Sequence, residues 1–342
     1  MYYIKTFQSG QLTETRQEER LKKVEVGVVG VGHLGRYHAL NYTKIPMVDL
    51  VGVTDLDDER ARRVASEVHC GVFANLDSLL QRVEAVSIVV PTDLHFDVGQ
   101  QALERGIHCL VEKPIAGSLE EADDLIRLAK EKGAILHVGH VERFNPAIRA
   151  LEDYEIDPRF IESHRLAPFD PRGTEVAVVL DLMIHDIDII LSLVKSPVKR
   201  VDASGVAVVS DSIDIANARI HFENGCVANL TASRISQKKM RKMRLFQRDA
   251  YVSVDFLQKI SEIYQLGEKG SESDVLLGKI GVGERKRKVV YRRPEVPGGE
   301  GLQKELEAFT RTVRGEHTVA VSGEEGKEAL SVAIQILKAM ES

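Results

Sequence analysis

The chain has little cysteine, no uninterrupted apolar run of membrane length and no excess of positive charge, and each shortage removes a class of protein. Its three cysteines (Cys70, Cys109, Cys226) are widely spaced in 342 residues, with no Cys-x-x-Cys pair. That leaves neither a disulfide framework nor a thiolate zinc site, and suits free thiols in a reducing cytoplasm. The most apolar stretch, Val176 to Val194, is interrupted by Asp181, His185, Asp186 and Asp188. Ionisable groups at its centre are too costly for contact with lipid, so no membrane span is expected. A formal net charge of −6 argues against nucleic-acid binding by the surface as a whole. Residues 1–23 lack the apolar core of a secretion signal and read as a solvated extension or a short surface helix. No internal repeat is detectable, and the length suits two domains, each with its own core.

What the chain does have begins at Val24. A β-branched run enters Gly30-x-Gly32-x-x-Gly35, a helix-compatible segment leaves it, and a second apolar run, Val48 to Thr54, ends at Asp55. Strand, glycine turn, helix and spaced acid together form a dinucleotide-binding fingerprint. Gly30 permits the tight turn, Gly32 a close approach of the pyrophosphate, and Gly35 close packing of helix on strand. His33 and Leu34 lie inside the turn, where the helix N-terminus offers N–H groups to phosphate. Asp55 is placed to accept from a ribose diol and to repel a 2′-phosphate, which favours NAD over NADP.

From Val24 to Val141 strand-like runs alternate with helical ones, the pattern of a parallel sheet covered on both faces. Beyond Pro146 the rhythm changes. One long helical segment, Val176 to Leu193, precedes consecutive strand-like runs (Lys199–Val209, Ile213–Phe222, Cys226–Ser233, Arg241–Gln247, Ala250–Asp255), with Asn224-Gly225 as a hairpin turn. The expected fold class is α/β: a Rossmann domain over residues 24–141, then an α+β domain over 142–342 with a mainly antiparallel, open-faced sheet. Residues 268–273 and 292–300 read as loops. Two helices close the chain, the second with Ser322 as N-cap and Glu325 at capping-box spacing.

Four further segments carry chemistry. Thr92 and His95 follow a buried strand where the cofactor's ribose and nicotinamide would lie, although a turn and helix cap also explain Pro91 and Thr92. Glu112-Lys113-Pro114 closes another strand, and a lysine there can stabilise a developing alkoxide. Asp181 and His185 stand at i and i+4 on one helix face, with Asp188 nearly in line and in reach of a substrate. An imidazole so placed suits proton transfer near neutral pH, with the carboxylate either orienting it or pairing with Lys113. A satisfied structural pair is the plainer account, and a metal would need more ligands than this run supplies. Arg143 and Asn145, in Gly139-His140-Val141-Glu142-Arg143-Phe144-Asn145-Pro146, are candidates for substrate contact, with salt bridging at the domain junction an equally good account.

In these motifs, in this order and spacing, the sequence resembles the Gfo/Idh/MocA family of glucose–fructose oxidoreductases and inositol dehydrogenases from about Val24 to the C-terminus. The resemblance implies a Rossmann domain, an open-faced sheet that packs in homodimers or homotetramers, and NAD as cofactor. It also implies a lysine and a histidine, here Lys113 and His185, beside the nicotinamide, with Glu112 at the cofactor. Gly139 to Pro146 and Asp181 to Asp188 look most like a bacterial branch that oxidises the 3-hydroxyl of UDP-linked N-acetylhexosamines such as UDP-N-acetylglucosamine, often ahead of an aminotransferase. Val178, Val179 and Met183 stand where many members carry glycine, which leaves less room beside a substrate. A dehydrogenase of another sugar, a uronic acid or a cyclitol would keep the same motifs; a non-catalytic NAD sensor would be expected to lack the lysine or the histidine. The basic run Lys238 to Arg244, with Arg248, reads as a charged edge or sheet strand rather than a nucleic-acid surface. The resemblance puts such a sheet beside substrate and partner subunits, so one or two of these cations are in range of a diphosphate.

Overall fold

The computed structural model describes residues 22–170, 176–268, 274–316 and 321–341. Residues 1–21 of the expected N-terminal extension and 269–273 of an expected loop lie outside the described residues. Contacts divide the chain into two compact units. One holds the residues up to Glu112, with Glu121–Val138 and Glu305–Ala320; the other holds Lys113–Glu120, Gly139–Lys304 and the residues from Val321 on.

In the first unit β1 (Val24–Val29), α1 (His33–Tyr42), β2 (Val48–Thr54), α2 (Asp58–Val68), β3 (Gly71–Val72), α3 (Leu76–Leu80), β4 (Ala85–Ile88), α4 (His95–Glu104), β5 (His108–Glu112), α5 (Leu119–Lys132) and β6 (Leu136–Gly139) follow one another. The sheet runs β3-β2-β1-β4-β5-β6, with β1–β2, β1–β4, β2–β3 and β4–β5 parallel. This is the doubly wound order expected from the alternation, and its switch point lies at β1 and β4. Val26, Val28, Val86 and Ile88 are fully buried, as strands covered on both faces require. Gly106 and Gly133, at the ends of α4 and α5, have φ of +74° and +64°, the left-handed caps their positions call for.

The second unit is built on a nine-stranded sheet, order β14-β15-β13-β12-β11-β7-β10-β9-β8. In chain order it contributes α6 (Pro146–Arg149), β7 (Phe160–Leu166), α7 (Ile184–Val194), β8 (Val198–Val206), β9 (Ile215–Phe222), β10 (Val227–Ser233), β11 (Met240–Phe246), β12 (Ala250–Asp255), β13 (Ile260–Leu266), β14 (Val275–Ile280) and β15 (Arg287–Arg292). Helices α8 (Gly301–Val313) and α9 (Gly323–Glu341) end the chain. The sheet is antiparallel except for β7 against β10. Ile187 and Ile190 of α7 and Ala333 and Ile336 of α9 share one core with Ile220, Leu230, Met243 and Val252 of the sheet. Across the opposite face, register partners Phe160, Phe246, Tyr251, Tyr264 and Tyr291 form a row of rings with centroids 5.0–5.9 Å apart.

Several sequence expectations change in detail. The helix expected over Val176–Leu193 is a π turn at Val179–Met183 followed by α7; five residues are too few for apolar spacing to separate the two. Strand β7 escapes the apolar pattern because two of its inward positions are Ser163 and Arg165. The basic strand β11 lies inside the sheet, between β12 and β7, not at an edge. Ser322 and Glu325 do form the reciprocal capping box, each side chain accepting the other's backbone N–H.

Candidate functional site

In the first unit the glycine turn has the form its three glycines predict. Gly30 has φ +81°, and a Cβ there would lie 2.5 Å from the Val89 carbonyl oxygen. A Cβ on Gly35 would lie 1.9 Å from the Gly30 oxygen, so this glycine sets how closely α1 rides on β1. A Cβ on Gly32 would meet nothing within 4 Å. Gly32 is the N-cap of α1 and supplies no side-chain cap, so the first N–H groups of the helix face open space flanked by the exposed His33 and Leu34. These are the properties a dinucleotide pyrophosphate needs, and the residues present fit one.

The other predicted cofactor residues are placed less uniformly. Asp55 sits one residue past β2, where its carboxylate accepts the N–H groups of Val31 (2.7 Å) and Asp57 (2.9 Å), with Arg60 at 3.4 Å. It thus ties the glycine turn to the strand end while keeping lone pairs for a ribose hydroxyl. Thr92 opens a short 3-10 turn and is half-buried. His95 points inward: it is 1% exposed, and its Nε2 lies 3.0 Å from the Val90 carbonyl oxygen. The structure therefore makes His95 a brace of the turn, and the histidine expected at the cofactor is correspondingly withdrawn into the core. Glu112 is buried as well, 3.0 Å from Nε2 of His38 on α1. The His38 partnership had no sequence signal beyond a polar residue on a helix.

A glycine pair separates fold from binding here. Gly35→Ala is expected to cost about 1–3 kcal/mol by overpacking, whereas Gly32→Ala should leave the melting temperature unchanged and weaken dinucleotide binding; thermal melts and NADH titration of both variants check this.

Lys113, the residue after β5, belongs to the second unit. Its Nζ donates to the backbone carbonyl of Asp181 at 2.8 Å and lies 3.6 Å from the Asp181 carboxylate. Of the two roles open to Asp181, the geometry favours holding the lysine. His185, at the start of α7, is half-buried, and its Nδ1 is enclosed without a hydrogen-bond partner among the described residues. Burial, reinforced by the charges of Lys113, Arg165, His140 and Arg241, holds this imidazole well below the ordinary histidine value of 6.5. It is accordingly neutral near pH 7 and available as a base.

Beneath His185 lies an ionic network that the sequence did not disclose. Arg165 of β7 is 2% exposed and donates from Nε and Nη2 to Asp186 (3.0 and 2.7 Å) and from Nη1 to Glu142 (2.8 Å). Arg143 spans Asp188 (2.7 and 2.8 Å) and Glu325 (2.9 Å). Asp188 is 1% exposed, so it anchors Arg143, in place of the substrate contact expected of it. Asn145 caps α6 through the Ala147 N–H and donates to Glu142 and the Phe256 carbonyl. Arg143 and Asn145 are thus each held by partners of the second unit. Among the described residues no cluster of three or more metal-ligating side chains occurs, and no helix is long and apolar enough to cross a membrane.

Comparison with known proteins agrees with this geometry. A family described as an oxidoreductase family with an NAD-binding Rossmann fold matches residues 24–140, and the Gfo/Idh/MocA C-terminal domain matches residues 157–252. The UDP-N-acetylglucosamine 3-dehydrogenase of Acidithiobacillus ferrooxidans is 41% identical over 93% of this chain and 98% of its own. A solved structure of that enzyme superposes with a TM-score of 0.84 at 40% identity, over 93% of this chain and 98% of that one. A scyllo-inositol 2-dehydrogenase (NAD(+)) from Bacillus subtilis is 32% identical over 63% of this chain and 68% of its own.

Proposed function

We propose that this chain, which belongs to the Gfo/Idh/MocA oxidoreductase family, oxidises the 3-hydroxyl of a UDP-linked N-acetylhexosamine, UDP-N-acetylglucosamine first among them. The observation that carries the reading is a histidine kept neutral next to a lysine pinned to a main-chain carbonyl. His185 takes the hydroxyl proton. Lys113 stabilises the alkoxide-like charge that grows on the sugar oxygen, and Asp181 holds the ammonium in place. A bound nicotinamide dinucleotide supplies the hydride acceptor. The identity to the A. ferrooxidans enzyme over nearly the whole chain supports the sugar nucleotide over a cyclitol or free sugar.

The test is absorbance at the NADH band with protein, NAD and UDP-N-acetylglucosamine, with and without a glutamate-dependent aminotransferase to draw off the keto product. Signal that grows with this substrate and not with N-acetylglucosamine or inositol supports the reading; a flat trace from protein that binds NADH overturns it.

NAD is the cofactor we favour over NADP, since the Asp55 carboxylate would repel a 2′-phosphate. A preference for NAD of about a hundredfold in kcat/KM is expected, in line with the several kcal/mol of a like-charge contact. Asp55→Ser should narrow it, leaving Arg60 to meet the phosphate. Because His185 is held below 6.5, the acidic limb of the kcat/KM profile should fall below the ordinary histidine range; a limb centred near 6.5 would contradict its assignment as base. The row of rings on the open face of the sheet supports a homodimer or homotetramer, which light scattering of the purified protein would reveal. Cysteines free of disulfides support a cytoplasmic setting.

A further inference from the structure

Arg241 differs from Arg143 and Arg165 in having one carboxylate partner where each of those has two. Arg143 is engaged by two carboxylates and Arg165 by two more. Lys113 is held by Asp181, while Lys242 and Arg244, at the alternate positions of β11, leave the sheet on its other face. Arg241 faces Arg165 in the β11–β7 register, so both side chains leave the sheet on the face that carries α7. Arg165 is sealed inside, whereas the Arg241 side chain keeps 40% of its exposure. Its Nη1 donates to Glu142 at 3.1 Å, on the same carboxylate oxygen that Arg165 reaches. The remaining N–H groups make no hydrogen bond among the described residues. The guanidinium is thus fixed at one corner and open at the others, and its charge acts on His185.

A planar cation with free paired donors, oriented in advance and set close to the base, suits an oxyanion carried by the substrate. We infer that Arg241 binds the diphosphate of the sugar nucleotide and so selects for nucleotide-linked sugars over free ones. This rests on the reading of His185 as the base for such a substrate. Glu142 contributes by holding the arginine at one corner, which leaves the other N–H groups of Arg241 for the substrate.

The test uses the full chain and three probes. Calorimetric titration with UDP reads the diphosphate contact without turnover, NADH titration reads the cofactor's own pyrophosphate, and KM for UDP-N-acetylglucosamine reads the substrate. For Arg241→Met, UDP binding is expected to weaken about tenfold to a hundredfold, the span of a charge-assisted contact, with KM rising in parallel. NADH affinity should stay within about twofold. Arg241→Lys, which keeps the charge without the fork, should fall between and serves if the methionine variant misfolds. UDP affinity equal in wild type and both variants overturns the inference, as does a loss confined to NADH. Arginine-dependent UDP binding in a protein that oxidises no UDP sugar would leave the inference standing and overturn the reading of the reaction.

Discussion

His185→Asn is expected to lower kcat by about 10²–10⁴-fold, the usual contribution of a positioned general base, while NADH binding persists. The size follows from the environment. A histidine near its ordinary value of 6.5 would be partly protonated at neutral pH, but burial and the cations around it keep His185 in the base form. Asparagine retains a polar group of similar reach without the ability to take the proton. Lys113→Met should cost about 10²–10³-fold by removing the charge that meets the developing alkoxide. The two losses should not multiply in the double variant, because base and electrophile act in the same step. Near-wild-type turnover in either single variant, measured at saturating NAD and across pH, would remove that residue from the mechanism.

Arg165→Met should destabilise the second unit by about 3–5 kcal/mol, the cost of breaking a buried ion pair from one side. Burial by itself raises the Glu142 carboxyl, and Arg165, with Arg241 behind it, brings that group below its ordinary range. Without the guanidinium, Glu142 loses its shortest arginine contact and Asp186 loses both bonds that Arg165 donates to it. Adding Glu142→Gln and Asp186→Asn should recover much of the loss, since a neutral network avoids the uncompensated charge. Calorimetric melts of the single and triple variants decide this: a single variant as stable as wild type would mean the network is relaxed by water.

The first unit was nearly legible from the sequence, because each of its strands is a short apolar run and each turn carries its own chemistry. Gly30, Gly35, Gly106 and Gly133 all occupy the conformations or close contacts that their spacing called for. The candidate site was legible by residue type more than by partner. Lys113 and His185 were singled out by their motifs, but the sequence could not say whether Asp181 serves one or the other. It also could not tell that Arg143, Asn145 and Asp188 are consumed in holding one another's neighbourhood, since a buried ion pair and an open binding contact use the same residues. Arg165 was invisible for a related reason: an arginine in an alternating strand reads as solvent-facing, and only its carboxylate partners, distant in sequence, make an inward arginine tolerable.

Because Lys113 donates to a main-chain oxygen, its position depends on where the helix begins its winding as well as on which side chain residue 181 carries. Asp181→Asn would relax the ammonium but leave the anchor. Deleting one residue from the π turn at Val179–Met183 would rotate that carbonyl by about 100°, the step of an α-helical residue, and carry the lysine's mooring out of line. At this point the site is therefore expected to be hurt more by a change in length than by the loss of the Asp181 charge alone.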